Sequence, residues 1–222
     1  GYMTIYVISL FPEMFDGVLG NSMLWKAQKN NIIAYKIVQL RDFGIGNRKT
    51  VDDTPYGGGD GMLLKPEPLF EAVNFCKQSS PSARVLLMTP RGLDYSQNIA
   101  KRLADATQDL IIICGRYEGY DERITSIVDE QLSIGHYVLT GGELAAMVVI
   151  DSITRLLPGV LGGESSAAIE SFSDGNTREY PQYTRPEEYR GIKVPKVLLS
   201  GNHKAIADWR ESNSMYSHPK TK

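Results

Sequence analysis

Runs of apolar residues of strand length recur along this chain, and each is followed within four residues by a glycine or a proline. They cover residues 5–11, 34–40, 85–89, 110–114 and 137–140. Several lack the alternation of polar and apolar residues, which is typical of strands covered on both faces. Between them lie stretches in which apolar residues follow a helical period. This alternation of strand and helix predicts an α/β domain with a mainly parallel sheet.

Three helices are predicted between these strands, over residues 65–76, 96–106 and 143–157. Pro66 suits the first turn of a helix, where its missing N–H is not needed. Ser96 has the side chain of a helix N-cap, and Pro158 with Gly159 ends the third helix. The α/β domain therefore ends near residue 161.

The composition changes after that point. Residues 162–177 are small, polar and weakly periodic, which indicates a linker or a loop that orders on binding. Residues 1–177 carry 15 basic against 21 acidic side chains, whereas residues 178–222 carry 9 against 5. A net charge of −2 argues against a protein that coats nucleic acid nonspecifically. The basic C-terminal part, predicted to be a short and mostly helical module, is suited to a polyanion.

The cysteines and the hydropathy limit the class of protein further. Cys76 and Cys114 lie in apolar surroundings without a CxxC pattern, which predicts buried free thiols and not a disulfide framework or a zinc site. No stretch approaches the roughly 18 apolar residues of a membrane span, so we expect a cytoplasmic protein.

The sequence contains neither GxGxxG after a strand nor GxxxxGK[ST], so the common nucleotide-binding motifs are absent. Three other segments, VLLMTPRG, LIIICGRYEG and HYVLTGGEL, each read as a strand that ends in glycine. The carboxyl ends of parallel strands converge on one crevice, and glycine lets the backbone approach a ligand closely. Together these segments predict a site that holds adenosine through backbone hydrogen bonds.

In these and other motifs, the chain resembles bacterial tRNA (guanine-N1)-methyltransferases of the SPOUT superfamily, which act on position 37 of tRNA. The resemblance rests on CGRYEGYDER, SIGHYVLTGGELAAM, VDDTPYGGGDGM and VPKVLLSGNH, which occur in family order. It implies a trefoil-knotted α/β domain over 1–161, a linker over 162–177 and a small, mostly helical tRNA-binding domain over 178–222. It also implies a homodimer with an interfacial active site. The C-terminal domain is short against the family pattern.

The resemblance further implies S-adenosyl-L-methionine as the methyl donor. His136 stands where the family usually has aspartate, an exchange that a role through backbone atoms tolerates. The implied cofactor contacts are Gly115, Ile134, Gly135, His136, Tyr137, Val138 and Leu139, flanked by Met88, Pro90, Glu118, Gly141 and Gly142.

The reaction requires two further groups. Guanine N1 carries a proton that a general base must accept, and the charge that develops on O6 needs a cation. The resemblance implies Arg155 as the cation and Glu170 as the base, with glutamate where the family has aspartate. Asp174 remains the second candidate for the base.

The family is also associated with Mg²⁺, whose ligands the sequence does not identify. Asp52, Asp53 and Asp60 surround a run of three glycines. Acids in such a position are either ligands of a hard cation or, more commonly, turn formers.

For tRNA, basic and aromatic side chains interleave in the C-terminal part, where cations can hold phosphates and rings can stack on unpaired bases. Trp209 alternatively belongs to a small core. The candidates are Arg185, Lys193, Lys196, His203, Lys204 and Arg210, with Tyr180, Tyr183, Tyr189 and Trp209. Two other functions remain open: the same fold acting on another acceptor, such as a ribose 2′-hydroxyl or another purine, and a non-catalytic RNA-binding module.

Overall fold

The computed structural model describes residues 3–116, 118–161 and 180–214. The chain divides into two compact units, Gly1–Gly162 and Gly163–Lys222. The strands are β1 (Met3–Ser9), β2 (Ile33–Gln39), β3 (Asp52–Asp53), β4 (Leu63–Leu64), β5 (Arg84–Asp94), β6 (Leu110–Cys114), β7 (Glu130–Ser133), β8 (Glu188–Tyr189) and β9 (Ile192–Lys193). The helices are α1 (Asp16–Leu19), α2 (Ser22–Lys29), α3 (Pro66–Ser79), α4 (Gln97–Asp105), α5 (Glu143–Thr154), α6 (Lys196–Leu199) and α7 (His203–Ser212).

The first unit is built on a five-stranded sheet in the order β2-β1-β6-β5-β7, and all its neighbouring strands run parallel. The predicted α/β class is therefore confirmed. Every residue of the central strand β6 is buried, because helices cover both faces of the sheet. This position explains its unbroken apolar sequence, LIIIC.

Successive residues of each strand point to opposite faces and so contribute to two separate hydrophobic clusters. Leu110 and Ile112 of β6 pack with α2, α4 and α5 on one face. Ile111 and Ile113 pack with α3 on the other. The sheet is thus held between two helical layers, and its carboxyl edge carries the loops that form the site described below.

The predicted helix starts are confirmed. Pro66 occupies the first turn of α3. The Ser96 hydroxyl accepts a hydrogen bond from the Ile99 N–H at 3.4 Å and caps α4. The third helix is shorter than predicted, since α5 ends at Thr154, and α2 was not predicted.

The predicted strand over residues 137–140 is wrong. These residues form a loop, and the strand of that region is β7, which lies earlier in the chain. The sequence of β7, EQLS, is too polar to indicate a strand. The carboxylate of Glu130 is nevertheless accommodated there because Arg84 and Arg102 both form ion pairs with it.

Strand β5 is interrupted where it meets β7. Met88 and Leu93 both align with Leu132, so residues 89–92 are extra residues that bulge out of the ladder. Gly92 is required within the bulge, because a Cβ on it would lie 2.5 Å from the backbone of Gln131 and Leu132. The bulge carries Thr89 and its neighbours away from the sheet at its carboxyl edge.

The second unit contains the antiparallel pair β8–β9 followed by α6 and α7. The Asn202 side chain accepts a hydrogen bond from the Ala205 N–H at 3.1 Å and caps α7. Tyr183 contacts Trp209 edge-on at a centroid distance of 6.4 Å, and Arg210 lies 4.9 Å from the ring centroid of Tyr180. Trp209 is half-buried and thus serves the small core of this unit.

Neither cysteine is paired, and both are buried, as predicted. Burial raises the pKa of the Cys76 thiol to about 11. Burial, together with the neighbouring Glu143 carboxylate, raises the pKa of Cys114 well above its usual value. None of the helices in the described ranges is long and apolar enough to cross a membrane.

We therefore expect both thiols to be inert in the native protein. At pH 8 a thiol with a pKa of about 11 is ionised in roughly one molecule in a thousand, and only the thiolate reacts. Reaction with 5,5′-dithiobis(2-nitrobenzoate) should be at least about a hundredfold slower in buffer than in guanidinium chloride. Rapid labelling of either thiol in the folded state would contradict this expectation.

Candidate active site

A cavity of about 390 Å³ opens at the carboxyl edge of the sheet in the first unit. Its size is within the range of sites for small molecules and cofactors. Three segments form its walls: the β5 bulge, the turn that follows β6, and the loop from Ile134 to Gly142. The lining residues are Met88, Thr89, Pro90, Arg91, Gly115, Arg116, Glu118, Gly119, Tyr120, Leu132, Ser133, Ile134, Gly135, Tyr137, Val138, Leu139, Gly141, Gly142 and Ala145.

The structure brings together eleven of the twelve residues predicted to contact a cofactor. These are Met88, Pro90, Gly115, Glu118, Ile134, Gly135, Tyr137, Val138, Leu139, Gly141 and Gly142. His136 does not line the cavity. Its largely exposed side chain lies against Asp94, at 2.9 Å from Nε2 to Oδ1. A role for this side chain in the cavity is therefore not supported, and only its backbone belongs to the cavity loop.

Two glycines let the loop approach the turn after β6. The Gly142 N–H donates to the Gly115 carbonyl at 2.9 Å, and Gly141 forms an antiparallel bridge with Arg116. A Cβ on Gly142 would lie 3.0 Å from the Cα of Cys114 and 3.1 Å from the nitrogen of Gly115. The two walls are thus joined backbone to backbone, with no room for a side chain.

A buried carboxylate that the sequence analysis missed supports this junction. Glu143, in the first turn of α5, is only 6% exposed. It accepts a hydrogen bond from the Ser9 hydroxyl at 2.8 Å, and the same hydroxyl accepts one from the Phe11 N–H at 2.9 Å. The end of β1 is thereby fixed to the cavity loop. An acid at the start of an otherwise apolar helix was the available signal.

The rim of the cavity carries two charged side chains, Arg91, which was also missed, and Glu118, which was predicted. Arg91 donates from Nη2 to the hydroxyl of Tyr120 at 3.3 Å and to Oε2 of Glu122 at 3.4 Å. These contacts, with that of Tyr120 first, raise the pKa of Arg91. Glu118 accepts from the Met62 N–H at 3.3 Å, so the glycine-rich segment before Met62 contacts the cavity wall.

Of the two predicted catalytic residues, Arg155 and Glu170, only Arg155 lies in the described part of the chain. Arg155 directly follows α5, is half-buried and does not line the cavity. It is ten residues beyond Ala145, or about 15 Å along the helix axis at 1.5 Å per residue. Glu170 and the alternative base Asp174 lie outside the described residues.

The acids of the glycine-rich segment do not form a metal site. Within the described ranges, no group of three or more possible metal ligands comes together. Asp53 instead accepts a hydrogen bond from the Thr54 N–H at 2.7 Å and pairs with Lys65 at 3.7 Å. These contacts, the Thr54 hydrogen bond first, lower the pKa of this exposed carboxyl group. The Asp53 carboxylate is therefore bound by Thr54 and Lys65 and is not shared with neighbouring acids.

Comparison with known proteins identifies the family of the chain. A sequence model of the family described as tRNA (Guanine-1)-methyltransferase TrmD matches residues 3–221. The tRNA (guanine-N(1)-)-methyltransferases of Geobacillus kaustophilus and Halalkalibacterium halodurans are 54% and 55% identical to the chain, over 96% of it and 87% of their own length. The crystal structure of tRNA (m1G37) methyltransferase from Aquifex aeolicus matches with a TM-score of 0.78 and 39% identity, covering 93% of this chain and 87% of that one. The chain belongs to the tRNA (guanine-1)-methyltransferase family.

Proposed function

We propose that this chain transfers a methyl group from S-adenosyl-L-methionine to N1 of guanine 37 in the anticodon loop of tRNA. The observation that carries the proposal is the cavity at the carboxyl edge of the sheet, since eleven residues implied by the family motif line it. The cofactor would supply a methyl group that is bonded to a positively charged sulfonium sulfur. The leaving group is then a neutral thioether, which needs no help from a metal. The backbone junction at Gly115, Gly141 and Gly142 suits the adenosine, because it brings main-chain groups close to the cavity.

The chain's own catalytic groups are proposed to be Arg155 and Glu170. Glu170 accepts the N1 proton as the methyl group is transferred, and Arg155 stabilises the negative charge that develops on guanine O6. A glutamate keeps the carboxylate that the family's aspartate provides and reaches one methylene further. Asp174 is the alternative base.

The position of Arg155 supports the proposal of a homodimer with a shared active site. An arginine about 15 Å along the axis from the cavity wall at Ala145 is too far away to act within the same cavity. A second copy can supply it. Two neighbouring elements, α5 and the 3-10 turn Pro12–Phe15, also expose Met14, Leu144 and Val148, each more than 40% accessible. Apolar side chains grouped on one surface are typical of an interface.

The remaining parts of the proposal concern the substrate and its setting. The basic and aromatic residues of the second unit, including Arg210 stacked on Tyr180, are proposed to hold the tRNA. The trefoil knot implied by the family and a location in the cytoplasm belong to the same proposal. Within the described ranges, no three possible metal-binding side chains come together, and no step is assigned to Mg²⁺.

The test is methyl incorporation into unmodified tRNA with labelled cofactor, followed by nuclease digestion and mass spectrometry of the fragments. We expect one N1-methylguanosine at position 37. Methylation of a ribose or another purine would favour the same fold with a different acceptor. If calorimetry detects no cofactor binding, the chain is instead a non-catalytic RNA-binding module.

A further inference from the structure

Arg116 is an arginine of the cavity wall whose hydrogen-bonding capacity is not used. Its Nε is shielded from solvent and has no hydrogen-bond partner in the described part of the chain. The guanidinium lies against Phe11, with Cζ 5.7 Å from the ring centroid. Buried polar groups of native proteins nearly always have a partner, so a guanidinium without one is unusual. The residue as a whole is half-buried and lines the cavity, so a bound molecule would meet the terminal nitrogens of the guanidinium and not the enclosed Nε.

The other arginine of the same cavity, Arg91, differs from Arg116 in its hydrogen bonds. Arg91 donates to Tyr120 and to Glu122, so its guanidinium is already engaged by the chain itself. Arg116 and Arg91 both line the cavity. Of the two, Arg116 is the one that is available to a ligand.

The chemical groups of the proposed ligand indicate which of them accepts hydrogen bonds from Arg116. This step rests on the proposed function, in which S-adenosylmethionine occupies the cavity. Its methionyl end carries one carboxylate and one ammonium group. A guanidinium presents two parallel N–H donors that match a carboxylate, and Glu118, two residues further on in the same wall, has the charge that suits the ammonium.

We propose that Arg116 binds the carboxylate of the methionyl end of S-adenosylmethionine. The guanidinium lies against Phe11, and Phe11 is itself fixed because its N–H donates to the Ser9 hydroxyl. Arg116 also forms the backbone bridge with Gly141. The backbone of Arg116 thus contacts the loop proposed to lie beside the adenosine, while its side chain is proposed to bind the methionyl carboxylate.

The experiment compares two ligands that differ only in this carboxylate: S-adenosylmethionine and decarboxylated S-adenosylmethionine. Dissociation constants are measured by calorimetry for the wild type and for Arg116→Gln. We expect the wild type to bind the carboxylated ligand about tenfold more tightly, the effect of one charge-assisted hydrogen-bond pair that is partly exposed. Arg116→Gln should bind both ligands equally.

Arg91→Gln is the matched control, because it removes an arginine from the same cavity and should leave the ratio of the two constants at its wild-type value. Arg116→Lys keeps the charge without the planar fork and should give an intermediate ratio. The Lys variant and the wild type still test the proposal if Arg116→Gln does not fold.

Two results would overturn the proposal: equal affinities of the wild type for both ligands, or an unchanged ratio in the Arg116 variants. Loss of tRNA affinity alone would also overturn it and would assign Arg116 to the RNA. A wild type that binds neither ligand would instead defeat the proposed function, so the two failures are distinguishable.

Discussion

Replacement of Arg155 by alanine is expected to lower kcat for tRNA methylation by about 100- to 1000-fold, while the dissociation constant of the cofactor stays unchanged. Removal of a group that stabilises developing charge has an effect of this size, because the interaction is made only in the transition state. Arg155 does not line the cavity, so its loss should not disturb the bound cofactor. Single-turnover rates and calorimetry measure the two quantities separately.

A mixed dimer tests where Arg155 acts. One subunit carries Arg155→Ala with an intact cavity, and the other carries Gly142→Val with an intact arginine. If the arginine serves the cavity of its partner, each mixed dimer contains one complete site and recovers activity that both parent dimers lack. If it serves its own cavity, the mixed dimer stays inactive. Unchanged turnover in the Arg155→Ala homodimer would contradict the assigned role altogether.

The second large effect is expected at the backbone junction. Gly142→Val should raise the dissociation constant of S-adenosylmethionine by about 5- to 150-fold, because forced overpacking of this kind costs about 1–3 kcal/mol. The Cβ alone would lie 3.0 Å from the backbone of Cys114, and the two methyl groups of valine need more room still. The loop must move, and the cavity with it.

The control for Gly142→Val is Gly17→Ala, at a glycine whose Cβ would meet nothing within 4 Å. It should leave cofactor binding unchanged and should not lower the melting temperature, since alanine is favourable in the helix that contains it. Wild-type affinity in Gly142→Val would show that the cavity loop adapts and that the junction does not determine binding.

The sequence was sufficient for the parts of the fold where one physical cause dominates. Strand β6 is buried on both faces, and its apolar run therefore predicted it correctly. The loop over residues 137–140 also contains an apolar run, which predicted a strand wrongly, because its apolar residues have a different role. Tyr137 and Val138 are 53% and 71% exposed and line a cavity, so their apolar character reflects the cavity wall and not a sheet.

The unpredicted parts of the site depend on contacts between distant segments. The engagement of Arg91 by Tyr120 and the burial of Glu143 against Ser9 join residues that are far apart in the chain. No local pattern reports such a pairing. The cavity could be predicted because each of its three segments combines an apolar run with a following glycine, which is a local property of the sequence.

Five of the nineteen residues that line the cavity are glycines, and the main chain exposed there limits how the site can change. If the cavity holds the methyl donor as proposed, an inhibitor that competes with it through main-chain groups of the wall contacts atoms that every amino acid shares. Substitution cannot remove such atoms, and a larger residue at Gly142 would crowd the loop on which the donor itself depends. Resistance to such a compound would have to arise at side chains of the rim, such as Arg91, and compounds that avoid them would leave few routes of escape.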